Sequence, residues 1–256
     1  MIIKNILTKI EIHPIFLILG LISIITGLFK EFLILFILII SHEIGHLLVA
    51  YYYNWPITNI KLYPFGGYIN FNVLLNHSLK EELLIVLAGP AMQIILYSFI
   101  YLNNYFILPH TFNLISQYHY SLLIFNLLPI FPLDGSKIIN ILYNLFLPFK
   151  KAHLFMIYTS FISLIIILFL LPLIKINFSL YLLIIILIYK LLKEQKNHNY
   201  LFNRFILERY LYDFNYNKTK IIVGNKLKKM MLNKKHLFYL KHKYITEKSY
   251  LNKIFK

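Results

Sequence analysis

Two histidines and a glutamate lie in an otherwise apolar stretch of the chain. His42, Glu43 and His46 form an H-E-x-x-H pattern directly after the uncharged residues 32–40. On a helix the two histidines lie one turn apart on one face, so both imidazoles can bind one metal ion while Glu43 addresses a water on it. Ionisable side chains within a membrane segment are costly and are functional candidates by default. The pattern predicts a zinc site, and a buried polar cluster that joins helices is the less favoured alternative.

A catalytic zinc site usually has three protein ligands and an open position for water. Asp134 is the single aspartate among residues 1–196, and the glutamates of that region other than Glu43 lie at the ends of apolar segments. Cysteine is absent, which excludes thiolate ligands and disulfides. We expect Asp134 to be the third ligand; because Gly135 follows it, a helix-end or turn residue is the alternative.

These side chains predict hydrolysis of an amide by a metal-activated water. Zinc lowers the pKa of its bound water towards neutrality, and Glu43 would accept the proton and pass it to the leaving nitrogen. Asn126 is a candidate hydrogen-bonding group for the substrate backbone or the oxyanion. A helix-breaking polar residue that satisfies freed carbonyls explains Asn126 nearly as well. For His119 an interhelical hydrogen bond is favoured over a metal-binding role.

The composition predicts an all-α polytopic membrane protein. Of the 256 residues 59% are hydrophobic and the mean hydropathy is +0.67, whereas soluble domains are about 45–50% apolar. Lys30 and Lys175 are the only basic residues on one predicted side, so both termini are predicted to be cytoplasmic. Six transmembrane helices are expected, at about residues 14–29, 32–53, 83–102, 114–133, 154–172 and 177–192.

Two segments interrupt the helical pattern. Residues 55–72 contain LYPFGGYINF, where Gly66 and Gly67 lie between β-prone residues and predict a short membrane-associated hairpin or loop. Residues 126–135, NLLPIFPLDG, contain Pro129 and Pro132, which oppose a regular helix. Irregular backbone at membrane depth is tolerated only where protein covers it or where it lines a cavity.

The end of the chain carries most of the net charge of +16. Residues 197–256 hold 14 Lys and Arg against three Asp and Glu. The positive-inside rule is the favoured explanation, and nucleic-acid binding is the alternative, which we do not expect. The sequence therefore predicts a six-span domain, residues 1–196, and a small basic cytoplasmic segment, residues 197–256.

Four motifs in this order resemble the site-2 protease family of intramembrane zinc metalloproteases: SHEIGH (41–46), LYPFGGYI (62–69), AGPAMQ (88–93) and NLLPIFPLDG (126–135). The layout is similar to the bacterial subgroup typified by stage IV sporulation protein FB, and the resemblance covers about residues 10–210. It implies one zinc ion per chain, held by His42, His46 and Asp134, with Glu43 as the base. It also implies substrate contacts from Asn126, Gly66, Gly67, Pro129 and Pro132.

The resemblance further implies that the substrate is a membrane-associated regulatory protein, namely the pro-sequence of a sporulation sigma factor. Cleavage would take place in the mother-cell membrane around the forespore. Other membrane proteins would control it. In that subgroup a CBS-type domain, which senses nucleotide, follows the last span. Residues 197–256 are short for a full domain of that kind. A shortened version or a segment that docks on anionic lipid is therefore expected, and nucleotide binding is not. A non-catalytic membrane metal-binding or transport protein is the alternative function.

Overall fold

Most of the apolar segments form helices in the computed structural model, which describes residues 10–12, 14–63, 66–170 and 178–255. Among these residues, three helices are long and apolar enough to cross a membrane: Phe29–Tyr52, Leu79–Leu102 and Phe149–Leu170. Six spans therefore stay a prediction, and Lys175 and the predicted span ends at 172 and 177 lie outside the described residues. In order, the helices are α1 (Pro14–Ile25), α2 (Phe29–Tyr52), α3 (Leu79–Leu102), α4 (Pro109–Leu127), α5 (Asp134–Phe146), α6 (Phe149–Leu170), α7 (Phe178–Leu211) and α8 (Glu247–Phe255).

Two of the predicted spans end earlier than expected. The first was expected to reach residue 29, but α1 stops at Ile25 and Gly27 follows at φ +73°, a conformation that glycine adopts without strain. The fourth was expected to reach residue 133, but α4 stops at Leu127 because the two prolines that follow cannot donate backbone hydrogen bonds. A tight turn over residues 128–133 then leads into α5, a helix that we did not expect.

The long helices expose apolar side chains on their outer faces. Ile95 and Phe99 of α3 and Ile162 and Phe169 of α6 are each more than half exposed. Exposed apolar surface of this extent marks a region that is covered by something other than water. Lipid would cover it on helices of this length and composition.

A small sheet is formed by one strand before α1 and two strands between α2 and α3. Strand β1 (Ile10–Ile12) pairs in parallel with β2 (Ile57–Tyr63), which pairs antiparallel with β3 (Gly66–Phe71). Tyr63 lies opposite Gly66, so the expected hairpin is confirmed, although Pro64 and Phe65 at its tip lie outside the described residues. Strand β1 was not expected. Among the described strands β3 pairs only with β2, which leaves its other side an edge.

The basic tail folds into a small α+β domain, so the chain is mainly helical rather than all-α. Strand β4 (Thr219–Val223) runs parallel to β5 (Lys235–Leu240), which pairs antiparallel with β6 (Lys243–Thr246) before α8 begins. Its core contains the fully buried side chains of Ile222, Phe238 and Leu251. The described residues divide into two compact units, one comprising residues up to 73 and 83–126, the other 74–82 and 127 onwards.

The end of α7 connects this domain to the loop before α3. Arg209, which is 5% exposed, donates hydrogen bonds to the side-chain oxygen of Asn76, to the carbonyl of Met231 at 3.0 Å and to Glu247 at 3.1 Å. The amide of Asn76 in turn donates to Glu208 at 3.1 Å. A buried guanidinium is stable only when its donors are satisfied, and here several partners satisfy them.

Glu247 also fixes the protonation state of a buried histidine. His236 is fully buried and donates from Nδ1 to Glu247 at 3.0 Å, while its Nε2 accepts the backbone N–H of Met231 at 3.0 Å. Protonation of Nε2 would break the second bond. Burial lowers the pKa of His236 below its ordinary value, against the opposing effect of Glu247. Burial by itself raises the pKa of Glu247. The hydrogen bond from His236 and the charge of Arg209 outweigh that effect, so the pKa of Glu247 lies below its ordinary value.

We predict that acid destabilises the C-terminal domain in two steps. Because the folded pKa of His236 is depressed, the unfolded chain takes up the proton first, and stability is lost as the pH falls below about 6.5. Because the pKa of Glu247 is also depressed, a second loss follows as the pH falls below about 4.3. Proteinase K digestion of the full chain between pH 7.5 and 5.5, followed through a C-terminal epitope, measures the first step.

His236→Gln should remove that first step, and His242→Gln, the same change at an exposed position, should leave it in place. Equal digestion of the unsubstituted protein at both pH values would contradict the assignment.

Candidate active site

Helix α2 places both histidines of the H-E-x-x-H pattern on its buried face. His42 and His46 are 3% and 6% exposed, and their Nε2 atoms lie 3.1 Å apart. Two nitrogens bound to one tetrahedral zinc at about 2.0–2.1 Å are separated by about 3.3 Å. The one-turn spacing therefore brings two ligand atoms to one point, and the histidines do not face lipid. Glu43, on the same turn, is also buried.

A backbone carbonyl fixes which nitrogen of His46 can bind a metal. Nδ1 of His46 lies 2.7 Å from the carbonyl oxygen of Ile85 in α3. A carbonyl can only accept, so Nδ1 carries the proton and Nε2 keeps its lone pair. Metal-binding histidines almost always donate their other ring N–H in this way. The hydrogen bond to Ile85 alone therefore orients His46 so that Nε2 can act as a metal ligand.

Two glycines allow α2 and α3 to approach at this level. A Cβ on Gly45 would meet the backbone carbonyl of Ala88 and, at 2.8 Å, the Cβ of Met92. A Cβ on Gly89 would meet Nε2 of His46 and, at 2.8 Å, Nε2 of His42. Gly89 thus leaves open the space onto which both ligand atoms converge. The role of Gly89 is not predicted from the spacing of the ligands; the sequence signal for it is its position in the motif AGPAMQ.

Asp134 is the first residue of α5 and is 6% exposed. A Cβ on Gly135 would clash with the carbonyl oxygens of Leu127 and Leu128, so only glycine lets α5 start this close to the end of α4. Lys137, one turn on, donates to Asp134 Oδ1 at 2.9 Å. Asp134 therefore lies at a constrained, buried helix start, and its second carboxylate oxygen is not held by that contact.

His42, His46 and Asp134 form a buried group that can hold one metal ion. Each offers one ligand atom, and the three atoms lie within 4.8 Å of one another. Two imidazole nitrogens and a carboxylate are a donor set that suits zinc and leaves a position for water or substrate. With the space beside Gly89 and the oriented His46, the residues present fit the ion that the sequence predicts.

The other predicted site residues lie in three different elements. The side-chain nitrogen of Asn126 lies 3.4 Å from Nε2 of His42, and Asn126 is half-buried near the end of α4. Pro129 and Pro132 lie, also half-buried, in the turn over residues 128–133. Gly66 and Gly67 are the first two residues of the edge strand β3. Contacts of these residues with substrate stay predictions.

The prediction for His119 is confirmed. It is 2% exposed, and Gln93 of α3 donates to its carbonyl at 3.0 Å, with the same nitrogen 3.3 Å from His119 Nδ1. The ring of Tyr97 stacks on the imidazole with centroids 4.0 Å apart. His119 therefore joins α3 to α4 through an interhelical hydrogen bond.

Comparison with known proteins gives matches of one kind. Residues 30–109 match the family model described as "Peptidase family M50". The chain is 35% identical to stage IV sporulation protein FB of Bacillus subtilis over 212 residues, which covers 80% of this chain and 73% of that protein. It is 34% identical over 119 residues to a zinc metalloprotease of Methanocaldococcus jannaschii, covering 43% of this chain and 33% of that protein.

A solved structure is also similar. The site-2 protease from Methanocaldococcus jannaschii matches with a TM-score of 0.56 and 26% identity, covering 72% of this chain and 89% of that one.

We predict that Gly89→Ala prevents full zinc binding. The added methyl group would lie against Nε2 of both histidines, in the space where the ligand atoms converge. Zinc per chain, measured by elemental analysis of the purified protein, should fall from one to well below one. Gly20→Ala is the matched control, because a Cβ there makes only ordinary contacts of 3.5 Å with Phe32. A Gly89→Ala protein with one zinc per chain would show that this space is not needed.

Proposed function

Because the chain belongs to peptidase family M50, the site-2 proteases, we propose that it cuts a membrane-associated regulatory protein within the bilayer, as in regulated intramembrane proteolysis. It is a zinc metalloprotease and an integral membrane protein. The observation that carries the proposal is the buried His42–His46 pair, whose Nε2 atoms converge while Ile85 holds the opposite nitrogen of His46. A polar cluster that only joined helices would not need the two Nε2 atoms to converge on one point, which is what binding of one ion requires.

We propose that His42, His46 and Asp134 are the metal ligands and that Glu43 is the general base. A zinc ion bound there would lower the pKa of a water molecule and polarise the scissile carbonyl. Glu43 would accept the proton of that water and deliver it to the leaving nitrogen. Its burial favours this role, since electrostatic effects are stronger in a site that excludes bulk water.

Asn126 is proposed to hold the substrate carbonyl. Its side-chain N–H group can donate to an oxygen that gains negative charge during attack. Its position, 3.4 Å from Nε2 of His42, supports this role. The turn that contains Pro129 and Pro132 follows directly and is proposed to line the path of the substrate. Proline has no backbone N–H, so Pro129 and Pro132 cannot bind the substrate's carbonyl oxygens in place of Asn126.

The edge of β3 is proposed to hold the substrate extended. A transmembrane helix hides its backbone amides in internal hydrogen bonds, so the segment to be cut must unwind first. An exposed strand edge can pair with such a segment and replace the lost bonds. Gly66 and Gly67 begin β3 and carry no side chain that would obstruct a close approach.

The finer identity of the substrate is also a proposal. Similarity to stage IV sporulation protein FB over 80% of the chain supports the pro-sequence of a sporulation sigma factor as substrate. It equally supports a location in the mother-cell membrane around the forespore, with both termini cytoplasmic and with control by other membrane proteins. For the C-terminal domain, the order of three strands and a helix supports a shortened CBS-like domain.

We predict that Glu43→Gln keeps the zinc and abolishes cleavage. Glutamine preserves size but cannot take a proton from water, and loss of a general base typically costs about 10²–10⁴-fold in rate. The test is co-expression with a candidate pro-sigma factor, followed by N-terminal sequencing of the product and zinc analysis. Glu31→Gln, at the other end of α2, is the matched control and should cleave normally.

Two outcomes would count against different parts of the proposal. Undiminished cleavage by the Glu43→Gln protein would reject Glu43 as the base and leave a non-catalytic metal-binding function open. If the unsubstituted enzyme cuts other membrane substrates but not the pro-sigma factor, the sporulation substrate is wrong and the protease remains.

We predict that Asn126→Ala slows cleavage by about 10²–10³-fold, the usual effect of losing one oxyanion donor, while one zinc per chain is retained. Asn113→Ala, an exposed position on the same helix, is the control and should have no effect. If Asn126 only satisfies freed backbone groups, its variant should instead lose thermal stability and keep the turnover rate of the folded fraction.

A further inference from the structure

A cleft beside the C-terminal domain is lined by lysines. Its volume is about 880 Å³, within the range of small-molecule sites. Five lysines line it, and no acidic side chain is among the lining residues: Lys151, Lys220, Lys226, Lys228 and Lys229. We call this feature the basic cleft. Several like charges around one space, without acidic partners, form a site for an anion.

Lys220 is the cleft lysine whose surroundings most disfavour its charge. Within the described part of the chain, the ammonium of Lys220 donates its hydrogen bond to a thioether, Met231 Sδ at 3.0 Å, which is a weak acceptor. Burial, followed by the charges of Lys234 and Lys229, lowers the pKa of Lys220. The described residues provide no ion pair for Lys226, Lys228 or Lys229. A bound anion would stabilise the charge of Lys220 and pair with these three ammonium groups.

Direct contacts hold the basic cleft at the start of a membrane span. The backbone N–H of Phe149, the first residue of α6, donates to the carbonyl of Met230 at 3.0 Å. The ring of Phe149 stacks on Phe205 of α7 at 4.4 Å, and Lys150 bonds to Asn199 at 2.8 Å. The 3₁₀ turn Leu227–Lys229, which carries two of the cleft lysines, is thereby attached to α6.

The height of the cleft matches the headgroup layer. Residues 154–170 of α6 are uncharged, and Lys151 precedes that run by three residues, or about 4.5 Å along a helix. The headgroup and interfacial layer on each side of a bilayer is roughly 5–8 Å thick. Lys151 therefore lies at the depth of lipid phosphates when α6 spans the membrane.

The chemistry of the cleft fits an amphiphile better than a freely soluble anion. Ile221 and Val223 of β4 also line it, and they are 54% and 65% exposed. Lysines beside exposed apolar side chains match a phosphate that is joined to apolar chains. Clusters of basic residues next to a membrane span attract anionic lipids.

We propose that the basic cleft binds the phosphate headgroup of an anionic phospholipid and thereby anchors the C-terminal domain to the membrane surface. Lys151 and the 3₁₀-turn lysines contact the phosphate, and Ile221 and Val223 contact the apolar part of the lipid. The proposal does not depend on the peptidase activity.

The test uses the full chain in a neutral detergent, titrated with dioctanoyl phosphatidylglycerol and followed by microscale thermophoresis. Binding should be saturable, should weaken with added salt, and should fall by at least about tenfold when Lys226, Lys228 and Lys229 are all changed to Gln. The matched control changes Lys241, Lys243 and Lys253 to Gln, which removes the same charge from exposed positions of the same domain and should alter affinity less than about twofold.

The remaining arms identify the source of the phosphate. Dioctanoyl phosphatidylcholine should not compete, and neither inorganic phosphate nor ATP should match the affinity of the phosphatidylglycerol. Tighter binding of ATP or equal binding of phosphate would overturn the lipid assignment, and equal effects of both triple variants would overturn the site. If the cleft variant fails to fold, acetylation footprinting of the unsubstituted protein decides: phosphatidylglycerol must protect the cleft lysines more than Lys241 and Lys243.

Discussion

Burial of two imidazoles in an apolar helix is the constraint on which the rest of this structure depends. A buried ring nitrogen needs a partner, and α2 offers none because its own backbone bonds are complete. For His46 the carbonyl of Ile85 in α3 is that partner, which requires the two helices to lie close together. Gly45 permits the approach, and Gly89 keeps the opposite side of the rings open. The same contacts between α2 and α3 therefore orient the metal-binding histidines and pack the two helices together.

The same constraint explains the irregular backbone near Asp134. A carboxylate among apolar side chains needs to be buried in protein, and a helix that continued past Leu127 would not turn the chain at this point. The prolines end α4, the turn follows, and Gly135 allows the next helix to begin against the carbonyls of Leu127 and Leu128. The buried position of Asp134 thus depends on where α4 ends. The contacts responsible are between Gly135 and the backbone carbonyls of Leu127 and Leu128.

The sequence predicted the parts of this arrangement that depend on local periodicity. The facing of His42 and His46 follows from helix geometry, and Asp134 stood out because aspartate is rare in the first 196 residues. The role of Gly89 could not be predicted in the same way, since it depends on which face of α3 meets α2. The fourth span was predicted to end six residues too late because residues 128–133 are as apolar as the helix before them. Hydropathy therefore could not mark the end of α4. In the tail, the strands KHLFYL and TKIIV were present as β-prone runs, but the surrounding lysines gave the stronger signal.

Arg209 links segments that are far apart in the sequence, because it binds the loop before α3, the segment before β5 and the first residue of α8. Asn76 is bonded to the same region. It donates to Phe205 and Glu208 near the end of α7, and its carbonyl accepts a hydrogen bond from Tyr216. The C-terminal domain is consequently not an interchangeable accessory. A chimaera that joined this membrane region to the tail of a relative would fold well only if the incoming tail presented carbonyls and a carboxylate that match this one arginine.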